Sequence, residues 1–231
     1  MSRSGRGTRM RIGIIGAGHI GGTLARNFAD AGHEVAVGNS RDPHTLAGLV
    51  QELGGRVQAM TAAEAERFGD VVVVSVPFGG YRKLPTEGVA GKVVIDTNNY
   101  YPQRDGHFEE LDNDRTTSSE LLQTHLTGAH VVKAFNAIVW TRLRDGGRPA
   151  GDGERIGIPI SGDDEQPKRT VAELIDQIGF DPVDAGRFQR VEGSINREAR
   201  HTPKACVPKS YASVLPEGIP NPESRTFRRE T

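Results

Sequence analysis

The sequence predicts an α/β fold, a doubly wound and mostly parallel sheet followed by an irregular C-terminal arm. Three observations carry this expectation. Short apolar runs alternate with helix-periodic segments from Met10 to Asp184. One run, Val71-Val72-Val73-Val74, is too apolar to have a wet face, as in a central parallel strand covered on both sides. A glycine-rich turn beginning at Gly16 follows the first apolar run and opens the first helical segment.

Taken in order, residues 10–15 read as a strand and 19–31 as a helix, with Gly32 as its stop. Residues 34–38 form the second strand. Asp42 then caps a helix towards Leu53, with Pro43 in its first position. Residues 56–60 are a third strand, and Thr61-Ala62-Ala63-Glu64 is a capping box opening a helix to about Phe68. The valine run lies in a strand over 70–76. Strands at 92–96 and 130–135 follow, separated by a helix at 118–125 that starts from a second capping box, Thr117 to Glu120. Residues 155–161 and 181–184 continue as strands around a helix over 166–178. Residues 144–154, rich in Gly, Arg and Asp, read as an exposed loop. The expected division is a loose extension over 1–9, a nucleotide-binding domain over 10–186, and an arm over 187–231. That arm is proline-bearing, mildly basic and without periodicity, and it could serve as a lid or a homodimer contact.

Composition narrows the function classes. The net charge of −1 over 231 residues offers no global field for nucleic acid or an acidic membrane. A lone cysteine, Cys206, excludes an intramolecular disulfide framework. No apolar stretch approaches the roughly 20 residues needed to span a bilayer, and no signal-type segment follows the N-terminus. A soluble, cytoplasmic protein is expected. None of the seven histidines has metal-ligand spacing, so no metal site is expected.

The most informative segment is Gly16-Ala17-Gly18-His19-Ile20-Gly21. Its placement between a strand and a helix is the context that gives this spacing meaning. Gly16 allows the tight turn, Gly18 removes the side chain that would block a pyrophosphate, and Gly21 lets helix and strand pack closely. The N–H groups at the helix start then face an anion. This is the dinucleotide loop of a Rossmann-type domain.

The second strand discriminates between cofactors. An NAD-preferring site usually ends this strand in an acid that accepts from the ribose hydroxyls. Here it ends Gly38-Asn39-Ser40-Arg41, offering a hydroxyl and a guanidinium suited to a 2′-phosphate. NADP(H) is therefore expected. Asp42 is assigned to capping.

Ligands in such sheets lie beyond the carboxyl ends of the strands. Val76-Pro77-Phe78, Asn98-Asn99 and the segment from Lys133 to Asn136 should border the nicotinamide. Phe78 offers a ring to pack on adenosine or nicotinamide, and the three asparagines offer amides to fix polar groups. Lys133 could neutralise an anionic ring or a developing oxyanion, or else be a snorkelling or surface-paired lysine. No nucleophile motif or carboxylate pair stands out, so the catalytic residues are unknown and the cofactor is expected to carry the chemistry.

These segments resemble the family of NADPH-dependent reductases of the deazaflavin coenzyme F420. The likeness rests on residues 10–18, Gly38-Asn39-Ser40-Arg41, Val76-Pro77-Phe78, Val131-Val132-Lys133-Ala134-Phe135-Asn136, Ile160-Ser161-Gly162-Asp163-Asp164 and Asp184-Ala185-Gly186. It implies hydride transfer between NADPH and 8-hydroxy-5-deazaflavin, a reaction that needs positioning and a dry site more than an acid or base. Carried over by position, Ala17 to Ile20 hold the pyrophosphate, Ser40 and Arg41 the 2′-phosphate, and Val76, Asn99 and Asn136 line the nicotinamide side. The likeness stops at Gly186, where Arg187 stands in place of the family's proline. Two alternatives remain. One is an NADPH-dependent reductase of a small imine, enone or ketone, with Lys133, Tyr100 or Tyr101 near the reacting atom. The other is a non-catalytic NADP(H)-binding sensor.

Overall fold

The structure, a computed structural model, describes residues 8–188. The elements are β1 (Arg11–Ile15), α1 (His19–Asp30), β2 (Glu34–Asn39), a 3-10 turn (Pro43–Leu46) running into α2 (Ala47–Glu52), β3 (Val57–Thr61), α3 (Ala62–Phe68) and β4 (Val71–Val74). A 3-10 turn (Phe78–Lys83) leads to β5 (Val93–Asp96), α4 (Pro102–Asp105), α5 (Glu109–Asp112), α6 (Ser118–His125) and β6 (His130–Lys133). The described part ends with α7 (Trp140–Asp145), β7 (Gly157–Ile160), α8 (Glu165–Gln177) and β8 (Asp181–Asp184).

Six strands form one sheet in the order β3-β2-β1-β4-β5-β6, every pair parallel. The chain winds outward in one direction from β1 to β3, then in the other from β4 to β6. Strand order therefore reverses between β1 and β4, and a crevice opens there at the carboxyl ends.

The valine run shows why both faces are dry. Val71 and Val73 enter a core with Leu24, Phe28 and Val132, whereas Val72 and Val74 enter another with Phe78, Leu122 and Val131. Successive strand side chains point to opposite faces, so only a strand covered twice can be apolar throughout. On the first face α1 buries Leu24, Ala25, Phe28 and Ala29, the three-and-four spacing of one helical stripe. It stops where the sequence places its stop, with Gly32 at φ +96°. Both capping boxes form as expected. Thr61 and Glu64 cap α3, and Thr117 and Glu120 cap α6.

Two features depart from expectation. The last strands do not extend the main sheet. β7 and β8 make a separate parallel pair, joined to β6 by an antiparallel bridge between Lys133 and Ser161. Alternation shows that a segment is a strand but not which strand it pairs with. The expected helix after Pro43 is also divided, with a 3-10 turn before its last turns become α-helical. Most of the C-terminal arm lies outside the described residues.

Candidate functional site

The crevice is built around the loop after β1. Gly16 sits at φ +110°, and a Cβ there would meet the Ser75 carbonyl oxygen at 2.0 Å. Its N–H donates to the Gly38 carbonyl at 2.7 Å, tying the loop to β2. A Cβ on Gly21 would meet the Gly16 carbonyl oxygen at 2.0 Å, so α1 closes directly on the turn. Gly18 is different: no atom stands within 4 Å of where its Cβ would be. Two glycines are thus demanded by the protein itself, while the third leaves room for something else.

Gly18 is also the N-cap of α1, and no side chain caps the helix. The Gly22 N–H donates to the Gly18 carbonyl at 2.8 Å, leaving the donors ahead of it directed towards that space. With its open cradle, bare donors and no acid in the first turn of α1, this end of the helix fits a pyrophosphate.

The end of β2 lies alongside. Asn39 shapes the turn: its Oδ1 accepts from Arg41 N at 2.8 Å and its Nδ2 donates to Thr45 Oγ1 at 3.0 Å. Ser40 and Arg41 are exposed, and the Arg41 guanidinium has no partner among the described residues. Asp42 accepts from His44 N at 2.8 Å and caps the 3-10 turn, the assignment its position suggested. The side chains left at this strand end are a hydroxyl and a cation, as a 2′-phosphate requires.

The opposite rim is organised by a buried charge pair. Lys133 Nζ donates to Asp96 Oδ2 at 3.1 Å, with the two side chains 2% and 0% exposed. Ser118 Oγ lies 3.1 Å from the same ammonium, and Ser119 Oγ donates to Asp96 Oδ2 at 2.8 Å. The other Asp96 oxygen accepts from Asn98 N at 2.9 Å. Asn98 Oδ1 in turn accepts from Val76 N at 2.9 Å, and its buried Nδ2 finds no partner among the described residues. Asn99 and Asn136 meet side by side, with Asn99 Nδ2 donating to the Asn136 carbonyl at 2.8 Å. The carboxyl ends of β4, β5 and β6 are thereby held in one network.

Two expectations at this rim are corrected. Phe78 is fully buried, stacked on Tyr81 with ring centroids 4.7 Å apart and edge-on to Phe108 at 5.5 Å. The second core takes the ring because a 3-10 turn, not an open loop, follows Pro77, so no face is left for a nucleotide. Lys133 is neither a snorkelling lysine nor an exposed anion receptor. Its strand faces inward at that position, and Asp96 compensates its charge. Tyr100 is committed too, its hydroxyl donating to Asp112 Oδ1 at 2.7 Å. Val76 is half-buried beside Gly16, and Pro77 is exposed.

Sequence reasoning missed Asp96, an unremarkable acid at a strand end whose role appears only once β5 and β6 are paired. It also missed the contact of His19 with Trp140, whose rings stack at 4.6 Å and 17°. No local pattern could have joined residues so far apart in the chain. Among the described residues no group of three or more His, Cys, Asp or Glu could hold a metal ion, and no helix is long and apolar enough to cross a membrane.

Strand order and glycine cradle define a Rossmann dinucleotide-binding domain, and its matches are to NADP-dependent oxidoreductases. More particularly, residues 11–100 match the family described as NADP oxidoreductase, coenzyme F420-dependent. A hypothetical protein of Sinorhizobium meliloti, SMa0349, is 32% identical with a TM-score of 0.68, the match covering 79% of this chain and 87% of that one. A protein of Arthrobacter sp. FB24, provisionally assigned as an F420-dependent NADP reductase, is 27% identical with a TM-score of 0.69, over 80% and 88% of the two chains. Metalloreductase STEAP3 of Rattus norvegicus is 34% identical over 207 residues, 89% of this chain. This chain spans 38% of that relative's length.

Proposed function

We propose that the protein transfers a hydride between NADPH and an 8-hydroxy-5-deazaflavin coenzyme. The observation that carries this reading is the family match over residues 11–100, which includes the whole nucleotide cradle and the strand end that selects the 2′-phosphate. The likeness to the Arthrobacter protein supports the same acceptor.

Bound NADPH would supply the hydride from its nicotinamide C4 to the deazaflavin C5, with a solvent proton completing the reduced coenzyme. The chain's own residues bind and orient. Gly16, Ala17, Gly18, His19, Ile20 and Gly21 form the pyrophosphate seat, and Ser40 and Arg41 the 2′-phosphate seat, on a turn held by Asn39. Val76, Pro77, Asn98, Asn99 and Asn136 form the wall against which the nicotinamide is held, with Asp96 and Lys133 fixing the backbone beneath. No proton donor is assigned to either seat. A hydride transfer between two stacked rings requires none, because alignment and exclusion of water supply the rate.

The test is an anaerobic mixture of protein, NADPH and authentic oxidised deazaflavin coenzyme, followed by visible absorbance. Bleaching of the deazaflavin in step with NADPH oxidation is expected. An unchanged spectrum, with the nucleotide demonstrably bound, would remove the deazaflavin. The small imine, enone or ketone would then be tried as acceptor in the same cuvette.

A further inference from the structure

We propose that Trp140 is a positioning residue for the diphosphate of the dinucleotide and that it acts through His19. The inference rests on the NADP(H) reading above and assigns a role to a side chain outside every motif in the sequence.

His19 is the first residue of α1, a helix of 12 residues, and it directly follows Gly18, where the cradle is open. Its imidazole is exposed to solvent on that rim. An exposed histidine ordinarily samples several rotamers, and fixing one on ligand binding costs free energy. Here the ring is already fixed. It lies nearly parallel to the Trp140 indole, 4.6 Å away between centroids and inclined by 17°.

The platform is itself anchored. Trp140 is the first residue of α7, and α7 is tied to α1 by Asn27 Nδ2, which donates to the Leu143 carbonyl at 2.9 Å. Leu143 is fully buried in the first core. The Arg144 guanidinium lies 5.1 Å from the indole centroid, and Asp145 orients it through contacts of 2.8 and 2.7 Å. Stacking occupies the face of the imidazole and leaves its edge nitrogens available. A ring held in this way presents an N–H donor beside the backbone donors of the cradle, without sweeping across the space that the anion must enter. The ligand chemistry it serves is a diphosphate at the start of α1, distinct from the 2′-phosphate at Arg41.

Trp140 is the sole tryptophan of the chain, so its emission reports on this stack alone. The experiment uses the full chain and NADP+, whose oxidised nicotinamide does not accept energy from tryptophan. Binding is followed by calorimetry and by fluorescence for the wild type, Trp140→Leu, Trp140→Phe, His19→Ala and the double variant His19→Ala/Trp140→Leu. Wild-type emission should change saturably at the concentrations calorimetry gives. Trp140→Leu and His19→Ala should each weaken NADP+ by about tenfold, in the range of a lost charge-assisted hydrogen bond. Trp140→Phe, which keeps a flat ring, should stay within about twofold. The double variant should bind no worse than His19→Ala, because the two act as one unit.

The proposal is overturned if wild-type emission ignores saturating NADP+, if Trp140→Leu binds like the wild type, or if the two losses add. Should Trp140→Leu fail to fold, His19→Ala decides: it must shift the emission of the free protein and weaken NADP+, and failure of either overturns the proposal. Absence of calorimetric NADP+ binding by the wild type would fell the NADP(H) reading together with this one. Normal binding that is indifferent to Trp140 would fell this one alone.

Discussion

The two rims of the crevice are made of similar residue types and treat them in opposite ways. On the rim at the start of α1 the polar groups are unspent: helix donors face open space at Gly18, and Arg41 has no partner among the described residues. On the rim at the carboxyl ends of β5 and β6 they are mostly spent on one another, as Lys133 on Asp96, Asn98 on Val76 and Asn99 on Asn136. An unpaired polar group at a surface costs nothing while water serves it, and so it can wait for a ligand. A buried one is ordinarily satisfied within the protein, and Asn98 Nδ2 is an exception on this rim. The first rim is therefore free to receive a ligand, and the second is a wall whose individual side chains matter chiefly through the shape they fix.

That contrast can be broken most severely in the cradle. Gly21→Ala would place a methyl 2.0 Å from the Gly16 carbonyl oxygen, a backbone atom with no flexible end to yield, and 3.3 Å from Ser75 Cβ. Loss of measurable NADPH binding by calorimetry is expected, together with destabilisation of at least about 1–3 kcal/mol by thermal melt. Gly18→Ala meets no protein atom, so it should melt like the wild type and still bind NADPH more weakly. A Gly18→Ala protein that binds normally would mean that nothing approaches the cradle there.

On the wall the largest effect should be on stability. Lys133→Met strands the Asp96 carboxylate in a buried site, and breaking such a pair costs about 3–5 kcal/mol. Combining it with Asp96→Asn should restore much of the melting temperature. If Lys133→Met melts normally yet loses turnover, the lysine is a working group and the wall description is wrong.

The smallest effect lies at the edge of the fold. Lys168 bridges Glu165 at 2.8 Å and Asp184 at 2.9 Å. Burial works against the charge on Asp184, but the ammonium and the Gly186 N–H outweigh it and hold the carboxyl below its usual range. A depressed folded-state pKa means stability that is present at neutral pH and lost as pH falls through that value. The melting difference between wild type and Lys168→Met should therefore be small at neutrality and shrink further in acid. Because Asp184 is half exposed, screening keeps the gap modest. A gap that widens in acid would reverse the assignment.

How much of this was legible in the sequence depends on the range of the determining contacts. The glycine cradle, both capping boxes, the Asp42 cap and the doubly covered valine run are local patterns with one physical solution each, and all are found where the sequence puts them. The ring of Phe78 and the charge of Lys133 could not be placed, because their burial depends on a 3-10 turn and on an acid of a neighbouring strand. The four-residue helices α4 and α5 are too short to show a period. Pairing of β7 with β8 rather than with β6 is a matter of topology that alternation does not encode. In the site the glycine turn was readable because its groups act singly, and the pairing of Lys133 with Asp96 was not because those groups act together.

Calorimetric titration of the wild type and of Arg41→Ala with NADPH and with NADH tests the whole account most directly. The wild type should prefer NADPH by about tenfold or more, the worth of a charge-assisted phosphate contact, and Arg41→Ala should lose that preference while holding NADH nearly as before. Equal affinity of the wild type for both nucleotides, or equal losses for both on substitution, would contradict it.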